Sequence, residues 1–344
     1  MTYPSKLWPG NRVAVLSPSS GAAAAFPHVY ETGLQRLREF LGLVPVEYPT
    51  TRARDADPRD RARDLCAAFA DPSIAAVLAT IGGDDQITVL PHLDDDVLRA
   101  NPKPFFGYSD NTNLLNHLFN LGLVGYHGGS VMVHLGRRGG LHPDSTDSLR
   151  AALFTDEWYD LAPAAEFADE PGRWDDPDGY YTTTPVMAPG IGWTWQGPPR
   201  VVEGVAWGGN LEVLSWLMQA DRMLPAQAYE GCVLFVETSE ELPSATEVYR
   251  ILRNMGERGL LARFPAVLVA RPTTYDFTAP RTPEARRAYA KDQREAVIRA
   301  LGEYAPDAVV VFDIDFGHTD PQLIIPYGGQ VRVDAEARRV SVRY

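Results

Sequence analysis

The chain has 344 residues, 45% of them hydrophobic and 22% charged, a balance that predicts a globular protein of two ordinary domains or one large one. Its formal charge of −13 argues against a nucleic-acid polymer as partner, because phosphate contacts need clustered Lys and Arg; a small nucleotide-like ligand in a local pocket stays compatible. Two cysteines, Cys66 and Cys232, make no disulfide framework, no apolar core of signal-peptide length opens the chain, and no run approaches the roughly 18 apolar residues of a membrane span, so a soluble cytoplasmic protein is expected.

In chain order, Arg12 to Leu16 (RVAVL) reads as a strand, followed by a Ser/Pro/Gly turn at Ser17 to Gly21. Tyr30 to Leu41 has helical spacing, and Ile74 to Ile81 is a second strand ending at Gly82-Gly83. Asp84-Asp85 then leads into a helical run, Ile87 to Leu93. Pro104 to Tyr108 is a third strand, and Asn113 to Leu121 spaces Leu114, Leu115, Leu118 and Leu121 as a helix does. Strand, turn and helix repeated predict an α/β fold, here an N-terminal parallel-sheet domain over residues 1–162. Residues 163–199, rich in Pro, Gly, Asp, Thr and Trp, read as a linker with a long loop. Residues 200–344 predict a smaller mixed α/β domain. Its strand at Val201 to Ala206 precedes Gly208-Gly209-Asn210, which opens a helix through Leu217; further strands lie at Cys232 to Glu237, Ala266 to Ala270 and Val309 to Ile314. Glu284 to Leu301 is a polar helix, and a ribbon of Gln330 to Val333 with Arg339 to Val342 ends the chain.

In parallel sheets, ligands bind beyond the carboxyl ends of the strands. Ser109 stands there, between an apolar strand and a helix, in Gly107-Tyr108-Ser109-Asp110-Asn111. That is where a nucleophile elbow presents its hydroxyl, although the second glycine of G-x-S-x-G is missing and a helix N-cap explains the same residues. Gly82-Gly83 lets a backbone approach a reacting carbonyl, so the Gly83 N–H and the Asp110 N–H are candidates for an oxyanion hole; a plain turn is the alternative. Glu237 ends a buried strand, as a functional acid or as a strand-end charge, and Glu240, Glu241 and Glu247 after it read as solvated. His318 sits in a Gly- and Pro-bounded turn, Gly317-His318-Thr319-Asp320-Pro321. His117, His127 and His134 match no metal-binding spacing, so no metal is expected.

Taken in order, these segments resemble the LD-carboxypeptidase family, serine peptidase family S66. The resemblance runs from Ser17-Pro18-Ser19-Ser20 through Gly82-Gly83 with Leu90-Pro91-His92-Leu93-Asp94, Gly107-Tyr108-Ser109-Asp110, Gly208-Gly209-Asn210-Leu211 and Leu234-Phe235-Val236-Glu237. It ends at Gly317-His318-Thr319-Asp320-Pro321 and Ile325-Pro326-Tyr327-Gly328. It implies a Ser109–His318–Glu237 triad with the nucleophile on the N-terminal domain and both partners on the C-terminal one. It also implies oxyanion donors at Gly83 and Asp110, no cofactor, and a homodimer. Thr80-Ile81-Gly82-Gly83-Asp84-Asp85 and the Trp-bearing insert are closer to the microcin C immunity branch, in which a loop tryptophan stacks on a nucleobase. Trp174, Trp193 and Trp195 are candidates for that role, with loop packing as the alternative, and Asp84 and Asp85 are candidates for substrate contact. The implied substrate is an aminoacyl nucleotide. A murein tetrapeptide is the enzymatic alternative, and a binding protein that kept the fold without the chemistry is the other class.

Overall fold

The computed structural model describes residues 1–170 and 172–344. Apolar runs become strands buried on both faces, as parallel sheets require: Val13 to Leu16 are all buried, and so is every residue of Val233–Glu237 and Val309–Ile314. The first sheet has six strands. Arg12–Leu16, Val44–Glu47, Ile74–Ala79, Phe105–Gly107 and Gly125–His127 run parallel, and Ile325–Tyr327, from near the end of the chain, joins antiparallel beside Gly125–His127.

The second sheet has eight strands around a parallel core of Val201–Asn210, Val233–Glu237, Ala266–Ala270 and Val309–Ile314. On one side Gln330–Asp334, Arg339–Arg343 and Trp158–Leu161 extend it antiparallel, and Thr194–Gln196 closes the other edge. The result is a mixed α/β fold dominated by parallel strands. Residues 163–199 hold more than a loop: a strand pair, Glu166–Phe167 with Ala188–Pro189, the helix Pro177–Thr182, and the Thr194–Gln196 edge strand.

Two expected elements differ. The run after Asp85 forms two short 3₁₀ turns, Gln86–Thr88 and Leu90–His92; Pro91 has no N–H to continue an α-helix through it. The strand from Val201 runs on through Gly208 and Gly209, and Asn210 caps the helix Leu211–Gln219, its side chain accepting from the Val213 N–H at 2.9 Å. Position 208 in this strand admits only glycine, because a Cβ there would meet the Phe235 carbonyl oxygen at 1.8 Å, a backbone approach that a side chain forbids.

The two sheets are joined where the helix Thr112–Asn120 meets the strand Val201–Asn210. Thr112 Oγ1 accepts from the Asn210 N–H at 3.1 Å, and Trp207 Nε1 donates to Asn116 Oδ1 at 3.1 Å. Asn210 pairs in register with Glu237, so the helix that starts just after Ser109 is pinned beside the strand that ends at Glu237.

Candidate active site

Ser109 begins the 3₁₀ turn Ser109–Asn111 and has φ 61°. A left-handed conformation at a non-glycine residue costs on the order of 1–3 kcal/mol and persists only where its surroundings impose it. Here they do. The Asp110 carboxylate is buried and accepts from the Ser19 hydroxyl, the Gln86 N–H at 2.9 Å and Asn113 Nδ2 at 2.7 Å. Burial raises the Asp110 pKa, and the Ser19 and Gln86 donors partly offset that rise. Asn111 Nδ2 donates to the Ile81 and Tyr108 carbonyls, both at 3.1 Å. These bonds tie the turn to the strand ending at Ala79 and give Asp110 a side-chain role that sequence reading, concerned with its N–H, did not assign.

Gly82 borders the nucleophile directly: a Cβ there would lie 2.9 Å from Ser109 Cβ and 3.4 Å from the Asp110 nitrogen. Gly83 packs instead on the opening turn, where a Cβ would fall 2.3 Å from Ser19 Oγ. Both glycines are therefore required by close approach, each against a different neighbour.

His318 reaches the nucleophile from the other sheet. Its Nδ1 lies 2.6 Å from Glu237 Oε2 and its Nε2 3.2 Å from Ser109 Oγ. Gly317 has φ 92°, and a Cβ there would meet Glu237 Cβ at 2.8 Å, so only glycine lets the His318 loop cross over the acid. The loop is held on both flanks. Asp315, fully buried, accepts from Arg271 and Trp193 Nε1, each at 2.9 Å; Asp320 pairs with Arg137 at 2.7 Å and bridges to the backbone of Ala168.

A second carboxylate also touches the imidazole: Glu240 Oε2 lies 3.1 Å from Nε2. Glu240 is half-exposed but not merely solvated, which corrects the sequence expectation for it. Burial favours the neutral ring of His318, yet the charges of Glu237 and then Glu240, each accepting from the ring, outweigh burial and hold its pKa well above the usual histidine range. The reciprocal attraction outweighs burial at Glu240 and holds its pKa down to about 2. In the sequence nothing sets it apart from Glu241 beside it, in the loop that leaves the strand's carboxyl end.

Asp85 forms a two-pronged pair with the buried Arg61, at 2.7 and 2.8 Å, so its carboxylate is committed within the protein. The Asp84 side chain is exposed. The Trp193 indole N–H donates to Asp315, Trp195 lies in the edge strand opposite Val311, and Trp174 packs edge-on to Phe26; all three rings are partly buried against the core. His127 lies beneath the site against Tyr108, Phe235 and Phe316, and burial lowers its pKa to about 4. His134 is lowered to about 3 by burial, and His117 bonds Asp95 at 2.8 Å. Among the described residues no group of His, Cys, Asp and Glu is arranged to hold a metal ion, and no helix is long and apolar enough to cross a membrane.

An acid, an imidazole and a hydroxyl in a row are the parts of covalent acyl transfer. Comparison with known proteins points the same way. Residues 13–128 match the family model for the LD-carboxypeptidase N-terminal domain, and residues 203–333 match that for the C-terminal domain. The microcin C7 self-immunity protein MccF of Escherichia coli is 25% identical over 302 residues, spanning 84% of this chain and 79% of that protein. A Bacillus subtilis protein named "probable murein peptide carboxypeptidase" is 25% identical over 349 residues, 98% of this chain and 93% of its own. The structure of an MccF-like protein from Streptococcus pneumoniae in complex with AMP superposes with a TM-score of 0.85 at 27% identity, covering 97% of this chain and 99% of that one. With both domain models matched in order along most of its length, the chain belongs to the LD-carboxypeptidase family and is a serine peptidase of family S66.

Proposed function

We propose that Ser109, His318 and Glu237 form the catalytic triad of a hydrolase that cleaves the amide-type bond of aminoacyl nucleotides. The observation that carries the triad is the imidazole bridging Ser109 Oγ and Glu237 Oε2 at 3.2 and 2.6 Å. In the reaction, neutral His318 takes the Ser109 proton at Nε2 as Oγ bonds to the carbonyl carbon. The N–H groups of Gly83 and Asp110 receive the oxyanion. Collapse of the tetrahedral adduct breaks the bond to the leaving nitrogen, which takes the proton from Nε2. Water, deprotonated by His318, then cleaves the Ser109 ester and restores the hydroxyl. Throughout, Glu237 holds Nδ1–H and so fixes the tautomer with its lone pair toward Ser109.

The nucleotide half of the substrate is supported by the microcin immunity relative and by the AMP-bound neighbour. The murein peptide relative supports a tetrapeptide as the competing substrate. Purified protein given aspartyl-sulfamoyl adenosine and, separately, a murein tetrapeptide decides between them: release of aspartate without loss of the terminal D-residue is the expected result. The Ser109→Ala variant should abolish that release, and full turnover by it would remove the triad.

A further inference from the structure

The mechanism needs a neutral imidazole with a free Nε2 lone pair, and in the free protein a second carboxylate works against it. Glu240 Oε2 and Ser109 Oγ lie almost equally far from Nε2, at 3.1 and 3.2 Å. A carboxylate only accepts hydrogen bonds, so Glu240 at ion-pair distance favours a proton on the nitrogen between them. The charged groups facing the ring make that state stable. Glu237 faces it from the strand end and Glu240 from the following loop, while the rings of Tyr108 and the buried neutral His127 supply no positive charge against it.

Glu240 is also built to let go. The residue before it is anchored: the Ser239 N–H and hydroxyl both donate to Glu212, at 2.9 and 2.7 Å, and a turn closes from Leu242 N–H to the Ser239 carbonyl at 3.2 Å. The Glu240 side chain itself is 51% exposed, and among the described residues its only ion pair is with His318. A cation that displaces the imidazolium keeps this carboxylate paired as it does so.

We propose that Glu240 is a specificity-determining residue: its carboxylate holds Nε2 of His318 in the free protein, and the free α-ammonium of an aminoacyl substrate takes the place of the imidazole there. The identity of the cation follows from position. A group bound at Glu240 shares the neighbourhood of Ser109 Oγ, and the α-nitrogen stands two bonds from the carbonyl carbon that Oγ attacks. A lysine-like side-chain nitrogen is several bonds further out. In a murein tetrapeptide the α-nitrogen of the residue at the scissile bond is acylated and uncharged, so it gives Glu240 nothing to exchange for His318. The ammonium claim rests on the aminoacyl reading of the site; the hold on His318 does not.

Two measurements on the full chain test both parts. Ser109 labelling by a fluorophosphonate reads the availability of His318 with no natural substrate present. The Glu240→Gln variant should label about tenfold faster at pH 7, with the acid limb of its pH profile moved to lower pH, since one raised pKa unit is a factor of ten in neutral imidazole. Unchanged labelling and an unmoved limb overturn the hold. Hydrolysis of aspartyl-sulfamoyl adenosine is then compared with that of its N-acetyl derivative. Wild type should favour the free amine by about tenfold or more, the scale of a charge-assisted hydrogen bond, and Glu240→Gln should lose that preference. A preference kept by the variant, or absent from wild type, overturns the ammonium exchange. If wild type cleaves neither compound, the functional reading falls and takes the ammonium claim with it, while the labelling result still decides whether Glu240 restrains His318.

Discussion

Two carboxylates flank one imidazole, and they come from regions of opposite character. Glu237 ends a buried strand, is 3% exposed, and is covered by the Gly317 turn. Glu240 stands three residues on, in a loop, with half its side chain in solvent. The buried acid binds Nδ1 and so points the Nε2 lone pair at Ser109; the loop acid binds Nε2 and so asks for a proton there. The same residue type thus supports the reactive tautomer from the buried strand end and opposes it from the half-exposed loop. Position in the fold, and not acidity, separates the two roles.

The sharpest way to break that contrast is to neutralise the buried member. Glu237→Gln should lower kcat by about 10⁴-fold, the scale found when a triad acid loses its charge and the imidazole its tautomer. The deficit should be smallest at low pH, because loss of the Glu237 charge also lowers the His318 pKa and leaves more of the imidazole neutral there. A kcat within tenfold of wild type, measured on any cleaved substrate, would mean that Glu237 does not set the tautomer. A smaller loss tests the nucleophile's side. Gly82→Ala puts a methyl group 2.9 Å from Ser109 Cβ, and a displacement of order 1 Å costs about 100-fold in rate. The expected variant folds, melts close to wild type, and shows its loss in kcat. An equal loss in the melting transition would instead make Gly82 a packing residue.

The strand-end positions were readable in advance because they depend on local patterns: an apolar run, a glycine or a small polar turn, and a helix-forming stretch. That is how Ser109, Glu237 and the Gly82-Gly83 turn could be singled out, and how the helices Pro27–Glu39 and Pro283–Tyr304 could be anticipated within a few residues. What could not be read depends on tertiary approach. No local pattern announces that Ile325–Tyr327 returns to the first sheet, or that Trp158–Leu161 pairs with the last strand. The same holds for the Asp110 carboxylate, which acts through Ser19, Gln86 and Asn113 on separate segments. Glu240 was missed for the converse reason: in sequence it is one of several acids in a polar loop, and only the arrival of His318 from 78 positions later distinguishes it from Glu241.

The smallest effect concerns a third carboxylate that keeps the contrast between the other two intact. Glu212 lies in the first turn of the helix Leu211–Gln219; its Oε1 takes both Ser239 donors, while Oε2 is buried without a hydrogen-bond partner. Burial first, and the charge of Glu237 second, push its pKa up to about 7. A carboxyl whose folded pKa exceeds its unfolded value of about 4.3 contributes stability that is complete below that value and is lost as pH rises through the folded one. Wild type should therefore lose melting temperature between pH 5 and pH 8 by this route. Glu212→Gln keeps the Oε1 acceptor and carries no charge, so at pH 8 it should melt a few degrees higher than wild type, with little difference at pH 5. A variant that melts lower at pH 8 would show Glu212 ionised and stabilised by Ser239. The strand end would then carry two buried negative charges, and the pull on His318 could no longer be divided between Glu237 and Glu240 alone.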